Sequence, residues 1–392
     1  MKIKSFEVHG LFGQYDIEKI VFNEDLNILS GRNGAGKTTV LKLMWYLISG
    51  NFDKALAEIE FNSATLITDK YDLNVKIDLN DKDKPLISKV NFYEKNNSKI
   101  NDTLNEVSKK YGDVDWYLPR HIGSSFFFPT FRIIEGGFST QSYNIKHDVI
   151  KEFYLKFNED EKGFGEANFA LTSISKRNSK ENHKFVTNVS TDNIDILISM
   201  IYMGVLEKQN KILNGLLDAY NKRIELTNQL EEEGVNITEN ISVINKMDQE
   251  ISILKVQREE NNIPIKKIES LISIFFKDKN IKFNGKVRFN TLNMGVDVPE
   301  EMMLLTKDLS AGEKQILTFI IYNAFYNNTI FFIDEPELSL HTDWQRILFR
   351  KLKQQNSTNQ FIISTHSPFI YSKYPDKEIC IDPKQDRGNV ED

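Results

Sequence analysis

An α/β fold built on parallel strands is predicted, with a mixed amino-terminal sheet ahead of it and a helical hairpin inserted within it. Three observations predict it. Short apolar runs at 26–29, 329–333 and 360–363 each end in a polar or glycine-rich turn, as buried parallel strands do. Residues 206–230 and 237–260 are poor in Gly and Pro and carry apolar residues three or four apart, the helical period. Finally, 392 residues with 40% hydrophobic content hold enough apolar material for a substantial core.

The elements follow in chain order. Lys2, Lys4 and Glu7 alternate with Ile3, Phe6 and Val8, a half-buried strand over 2–9 and not the apolar core of a signal peptide. Further strands are expected over 17–22 and 26–29, then a loop from Ser30 to Thr39 and a helix through Val40, Leu41, Met44 and Leu47. Alternation at 64–68, 73–79 and 88–92 makes residues 1–135 a mixed sheet around that helix. In the hairpin, Leu213, Leu217, Tyr220 and Ile224 mark the apolar stripe of one arm, and Ile241, Ile244, Ile251 and Leu254 that of the other, with a tip at 231–236. Arms of that extent are about 35–40 Å long. Two readings stand for them: a protruding antiparallel coiled coil, or two amphipathic helices of an ordinary helical lobe. After Pro264 the text turns globular, with a strand over 283–289 and a helix over 310–326. The expected division is 1–203, 204–262 and 263–392.

Composition limits the function. Fifty basic residues face 56 acidic ones, so with a net charge of -6 no bulk positive field drives indiscriminate nucleic-acid binding. A single cysteine, Cys380, excludes a disulfide scaffold and a cysteine-based metal cluster. The most apolar stretch, 194–206, is broken by Asp195 and Ser199 and falls short of the ~20 residues of a spanning helix. A cytoplasmic protein without a membrane anchor is expected.

Gly31-Arg32-Asn33-Gly34-Ala35-Gly36-Lys37-Thr38-Thr39 lies between a predicted strand and a predicted helix, the setting of a phosphate-binding loop. Backbone N–H groups of such a loop converge on phosphate oxygens. The helix start adds partial positive charge, Lys37 reaches the β and γ phosphates, and Thr38 offers a hydroxyl to Mg2+. A second element, Ile330-Phe331-Phe332-Ile333-Asp334-Glu335-Pro336-Glu337, sets two carboxylates at the carboxyl end of a buried strand, where ligands bind in α/β sheets. Asp334 suits Mg2+ coordination and Glu335 suits the general base that polarises the attacking water. Glu337 reads equally as solvated surface or as a second metal-site acid.

Ser310 and Glu313 form a capping box ahead of an apolar helix. Gly312 in the first turn is not needed for the cap and costs helix stability, which a close approach of backbone to an anion explains. His366 ends another apolar strand, within reach of a γ phosphate.

Together GRNGAGKTT, DLSAGEKQ, FFIDEPELSLH and ISTHSP, in this order, resemble the ATP-binding-cassette ATPases, in the branch of chromosome-maintenance heads and OLD-like ATPases. The resemblance implies ATP and Mg2+ as cofactors, a P-loop head interrupted by the hairpin, Glu335 as base and His366 as switch histidine. It also implies that Ser310 and Gly312 cap a nucleotide held by a second protomer, so that the ATP state is a homodimer or larger homo-oligomer. Gln141 is the candidate for the family's Q-loop glutamine. The preceding Pro129-Thr130-Phe131-Arg132 is similar to a stretch in small OLD-like ATPases of phage-defence systems, in which an Arg lies near the nucleotide; Arg132 reads equally as that residue or as a partner in a core-edge salt bridge. Ala311 and Glu313 depart from the transporter-type signature, which makes a transporter subunit the weakest reading.

The segment after His366 is too short for a Toprim nuclease, so an effector, nuclease or toxin, is expected on a separate chain. The hairpin region 207–260 has seven basic and eleven acidic residues and is a poor tracker of nucleic-acid phosphates. The stretch 277–288 has five basic residues and one acid, and Lys176, Arg177, Lys180 and Lys184 surround Glu181. Each basic cluster reads as a solvated face or as a local docking surface for DNA or acidic protein. Two functions follow: control of an effector in antiviral defence, or a DNA-repair or chromosome-maintenance ATPase that clamps DNA.

Overall fold

The computed structural model describes residues 1–13, 15–79, 85–95, 111–130, 133–134, 172–189, 191–233, 237–276, 279–283, 287–291 and 309–381. Gln141 and Arg132 lie outside them. The chain divides into two compact units, one of Met1–Ser190, Ser310–Phe319 and Tyr326–Asp392, the other of Thr191–Leu309 and Ile320–Phe325.

In the first unit, the mixed text of residues 1–135 resolves into parts of two sheets. Strands β1 (Ile3–Leu11), β2 (Tyr15–Val21), β4 (Ser63–Thr68), β5 (Tyr71–Leu79) and β6 (Pro85–Glu94) form an antiparallel sheet ordered β2-β1-β4-β5-β6. Strand β3 (Leu26–Ser30) and β7 (Ser125–Phe128) instead join a six-stranded sheet with β8 (His183–Phe185), β11 (Ile330–Asp334), β12 (Gln360–Ser364) and β13 (Glu378–Cys380). Its order is β13-β3-β12-β11-β7-β8 and every pairing in it is parallel.

Period-two alternation sorts the aromatic residues of this sheet between its faces. Phe126, Phe331 and Phe361 sit in register on three adjacent strands, with ring centroids 5.4 and 5.2 Å apart. Phe349 of α7 (Thr342–Gln355) meets Phe361 edge-on at 5.9 Å. Phe319 of α6 (Ala311–Phe325) meets Phe128 in the same way at 5.2 Å. On the other face, Phe127, Phe332 and Ile362 share a core with α1 (Lys37–Ile48), α2 (Phe52–Glu58), α3 (Tyr111–His121) and the antiparallel sheet. Helix α1 is covered on all sides, so Leu43, Met44, Trp45, Tyr46, Leu47 and Ile48 are all buried, and its sequence shows no polar face after Lys42. The foot of β3 is fixed by Asp25, which takes Lys353 at 2.6 Å and Lys377 at 2.9 Å. Partial burial opposes ionisation of Asp25, but the two ammonium groups hold its carboxyl far below the usual carboxylate range.

In the second unit, α4 (Thr191–Glu233) and α5 (Ile237–Phe275) are 43 and 39 residues long, about 65 and 60 Å. They exceed the expected 35–40 Å, and the boundaries at 204 and 262 fall in their interiors. Helix α5 runs through Pro264 because its apolar period continues in Ile268, Leu271, Ile272 and Phe275, all buried. The arms pair antiparallel: Val205 O accepts from Asn261 Nδ2, Leu216 and Ala219 pack with Ile251, and Arg223 meets Asp248 at 3.3 Å. On α5 the expected Ile251 and Leu254 lie in the seam, but on α4 the seam is not the expected stripe. Leu213, Leu217, Tyr220 and Ile224 are exposed, whereas Ile212, Leu216 and Ala219, one position earlier and 100° around the helix, face α5. A short strand pair, β9 (Lys279–Phe283) and β10 (Val287–Thr291), stands where one strand over 283–289 was expected. The alternation in the sequence spans Asn284-Gly285, a dipeptide that favours hairpin turns and lies outside the described residues.

Candidate functional site

The site is built at the carboxyl ends of β3, β12, β11 and β7, neighbours in one parallel sheet. Strand β3 delivers the loop 31–36. At its end Gly36 is the N-cap of α1 with φ 89, a left-handed conformation that a side chain would strain, and no side chain caps the helix. The first N–H groups of α1 are therefore offered to an acceptor. Lys37 is buried, with Nζ donating to Gly31 O at 2.7 Å and Arg32 O at 2.8 Å. Its ammonium is thus set across the mouth of the loop. Arg32, Asn33, Gly34 and Thr38 are exposed along the loop, and Ala35 and Thr39 are half-buried.

Asp334, at the end of β11, ties its strand to the ends of the other three. It is buried, and Thr38 Oγ1 donates to its two carboxylate oxygens at 2.9 and 3.0 Å. Ser364 Oγ at the end of β12 and Thr130 Oγ1 just beyond β7 also donate to it. Asp334 and Thr38 were expected together; Thr130 and Ser364 were not assigned. Each is a hydroxyl residue at or just beyond the end of an apolar parallel strand, and only the register of those strands brings it to Asp334. Hard oxygen donors on Thr38 and Asp334 fit Mg2+, which takes few protein ligands and completes its shell with water and phosphate oxygens.

Glu335 follows with φ 47, strained for a residue with a side chain, and its N–H donates to Ser364 O at 2.9 Å. The strained turn re-aims the chain so that Glu335 is half-buried, unlike Asp334. His366 is exposed on the loop after β12. Glu337 is not free surface: its Oε1 accepts from Thr365 Oγ1 at 2.7 Å, His366 N at 2.8 Å and Ser367 N at 3.1 Å.

Ser310 and Glu313 make the expected capping box, with Ser310 N donating to Glu313 Oε2 at 2.8 Å. Gly312 has a cause within the chain: a Cβ there would lie 2.2 Å from the Ser339 carbonyl oxygen, in the turn after β11. The close approach is backbone to backbone, where an anion had been expected. Buried Gln315, another residue not singled out in the sequence, ties the same two segments through Nε2 to Pro336 O at 2.8 Å. Gly312→Ala is expected to destabilise the protein by about 1–3 kcal/mol, since rigid backbone must move to admit one methyl. Urea unfolding without nucleotide measures it, and an unchanged midpoint would show that the contact is dispensable.

A parallel sheet carrying a P-loop, a buried strand-end aspartate bonded to the P-loop threonine, and a glutamate next to it define a P-loop ATPase. The chain belongs to the AAA ATPase domain family, whose model matches residues 1–371. It is similar to the DNA replication and repair protein RecF of Streptococcus thermophilus, 24% identical over 278 residues, covering 69% of this chain and 64% of RecF. The endonuclease GajA of Bacillus cereus is 23% identical over 379 residues, covering 90% of this chain and 54% of GajA. The chain thus spans about half to two thirds of the length of these relatives. Among solved structures, the SMC head domain of Thermotoga maritima aligns with 95% of this chain and 92% of its own at 12% identity and a TM-score of 0.41. Among the described residues no helix is long and apolar enough to cross a membrane.

Proposed function

We propose that this ATPase binds MgATP between protomers of a homodimer or larger homo-oligomer, and that its ATP state controls a separate effector, a nuclease or toxin, in antiviral defence. Lys37 and the N–H groups of α1 hold the phosphates, Thr38 and Asp334 hold Mg2+, and Glu335 orients the attacking water with His366 beside the γ phosphate. Ser310, exposed at the start of the signature helix, caps the nucleotide of the second copy.

The observation that carries the sandwich is the state of the signature segment. Ser310 is exposed at a helix start whose cap is satisfied locally, while Gln315 anchors that helix to the turn behind Glu335. The segment is thus a firm, outward-facing edge coupled to the hydrolytic strand. The OLD-like motif set and the likeness to an endonuclease support the effector reading.

A Glu335→Gln protein is expected to shift from monomer to oligomer in light scattering on addition of MgATP, and Ser310→Arg to abolish the shift. A Glu335→Gln protein that stays monomeric with ATP would refute the sandwich. Co-purification with the product of an adjacent gene tests the effector.

The likeness to RecF and the basic stretch 277–288 favour the second reading, a DNA clamp. It requires a salt-sensitive gel shift that is lost on neutralising Lys282, Lys286 and Arg288. Full retention of DNA by that variant counts against the clamp.

A further inference from the structure

We infer that Glu337 is the positioning residue for His366. One carboxylate oxygen, Oε1, gathers three donors from three consecutive residues: the Thr365 hydroxyl at 2.7 Å, the His366 N–H at 2.8 Å and the Ser367 N–H at 3.1 Å. A single acceptor taking successive N–H groups fixes the path of the backbone through His366 and leaves its imidazole exposed. Other bonds hold the ends of this loop. Thr365 N donates to Leu29 O at 3.2 Å, Ser367 N to Thr365 Oγ1 at 3.0 Å, and Ser367 Oγ to Gln345 Oε1 at 2.5 Å. His366 N, in the middle, is given to Glu337.

Glu337 stands two residues after Glu335, on the turn that opens with the strained φ of 47. Glu335 N–H itself donates to Ser364 O, so the two strand ends are bonded on either side of the reacting position. The turn after β11 therefore carries the base and, through Glu337, sets the place of the histidine. Hydrogen bonds to an ionised acceptor are roughly twice as strong as neutral ones, which suits a carboxylate to this task. The three bonds of Oε1 all go to the segment 365–367, so Glu337 acts through His366. This inference rests on the reading of His366 as a group beside the γ phosphate.

The test is a double-mutant cycle on the intact protein, read in single-turnover ATP hydrolysis and in ATP binding. Glu337→Ala is expected to lower kcat by about 100-fold, the loss that a misplacement of the order of 1 Å produces, with little change in Kd for ATP. Glu337→Gln, which keeps an acceptor oxygen, is expected to recover much of that rate. His366→Ala in the Glu337→Ala background is expected to cost nothing further, because a histidine already out of place has no rate left to lose. A wild-type kcat in Glu337→Ala, or losses that multiply in the double variant, overturns the inference. If Glu337→Ala does not fold, Glu337→Asp, which withdraws the carboxylate by one methylene, takes its place in the same cycle. If His366→Ala alone hydrolyses ATP at the wild-type rate, the role of His366 falls and the inference with it. A slow His366→Ala beside a fast Glu337→Ala defeats the Glu337 inference alone.

Discussion

Glu335→Gln is expected to bind ATP as the wild type does and to hydrolyse it at least 100-fold more slowly, within the range of about 10²–10⁴ for loss of a positioned general base. The substitution is nearly isosteric and the backbone need not move, since the strained φ of 47 is held by the Glu335 N–H bond to Ser364 O and by the anchored Pro336. An amide in place of the carboxylate cannot take a proton from water, whereas the phosphate loop and the Asp334 cluster are untouched. Phosphate release under single-turnover conditions, beside equilibrium binding of a fluorescent ATP analogue, separates the two steps. Turnover within a few fold of the wild type would remove Glu335 from the base role and turn attention to other polar groups at the strand ends.

Lys37→Ala is expected to act one step earlier. Its ammonium bonds to Gly31 O and Arg32 O at 2.7 and 2.8 Å, so it shapes the loop as well as carrying charge to the phosphates. Each hydrogen bond to a charged group contributes about 1.5–3 kcal/mol, so losing the phosphate contacts weakens ATP by at least about 100-fold. Isothermal titration with MgATP checks this. Affinity equal to the wild type's would mean that the N–H groups of α1 carry binding alone. Lys37→Arg does not rescue, because a planar guanidinium cannot take the place of a compact ammonium between two carbonyls.

The parts of this site legible in the sequence are those whose chemistry is local. The glycine loop, the strand ending in Asp334 and Glu335, and the capping box at Ser310 are each contained in a few residues, and each adopts the local form its sequence predicts. What was not legible depends on partners distant in the chain. Thr130 and Ser364 are ordinary hydroxyl residues until the parallel register brings both to Asp334. Glu337 is a surface carboxylate in the text and a three-donor acceptor in the fold. Gly312 looked like a seat for an anion, and only the approach of Ser339 supplies its steric cause. In the hairpin, two apolar stripes lie side by side on α4, and periodicity cannot say which of them faces α5.

The strand order also dictates when an ATP site exists during synthesis. β3, made early, lies between β12 and β13, both made late, and the bond from Ile3 N–H to Gln360 Oε1 joins residues 357 positions apart. A nascent chain that has finished the phosphate loop and both hairpin arms still lacks the strands that flank β3. Its β7 segment, Ser125-Phe126-Phe127-Phe128, has β8 to pair with but waits for β11, and Phe126 and Phe128 wait for Phe331 and Phe319 to cover them. Contacts of such sequence separation form slowly, and exposed apolar strands aggregate while they wait. Acquisition of ATP binding is therefore expected late, and a fragment ending in the hairpin is expected to hold no nucleotide.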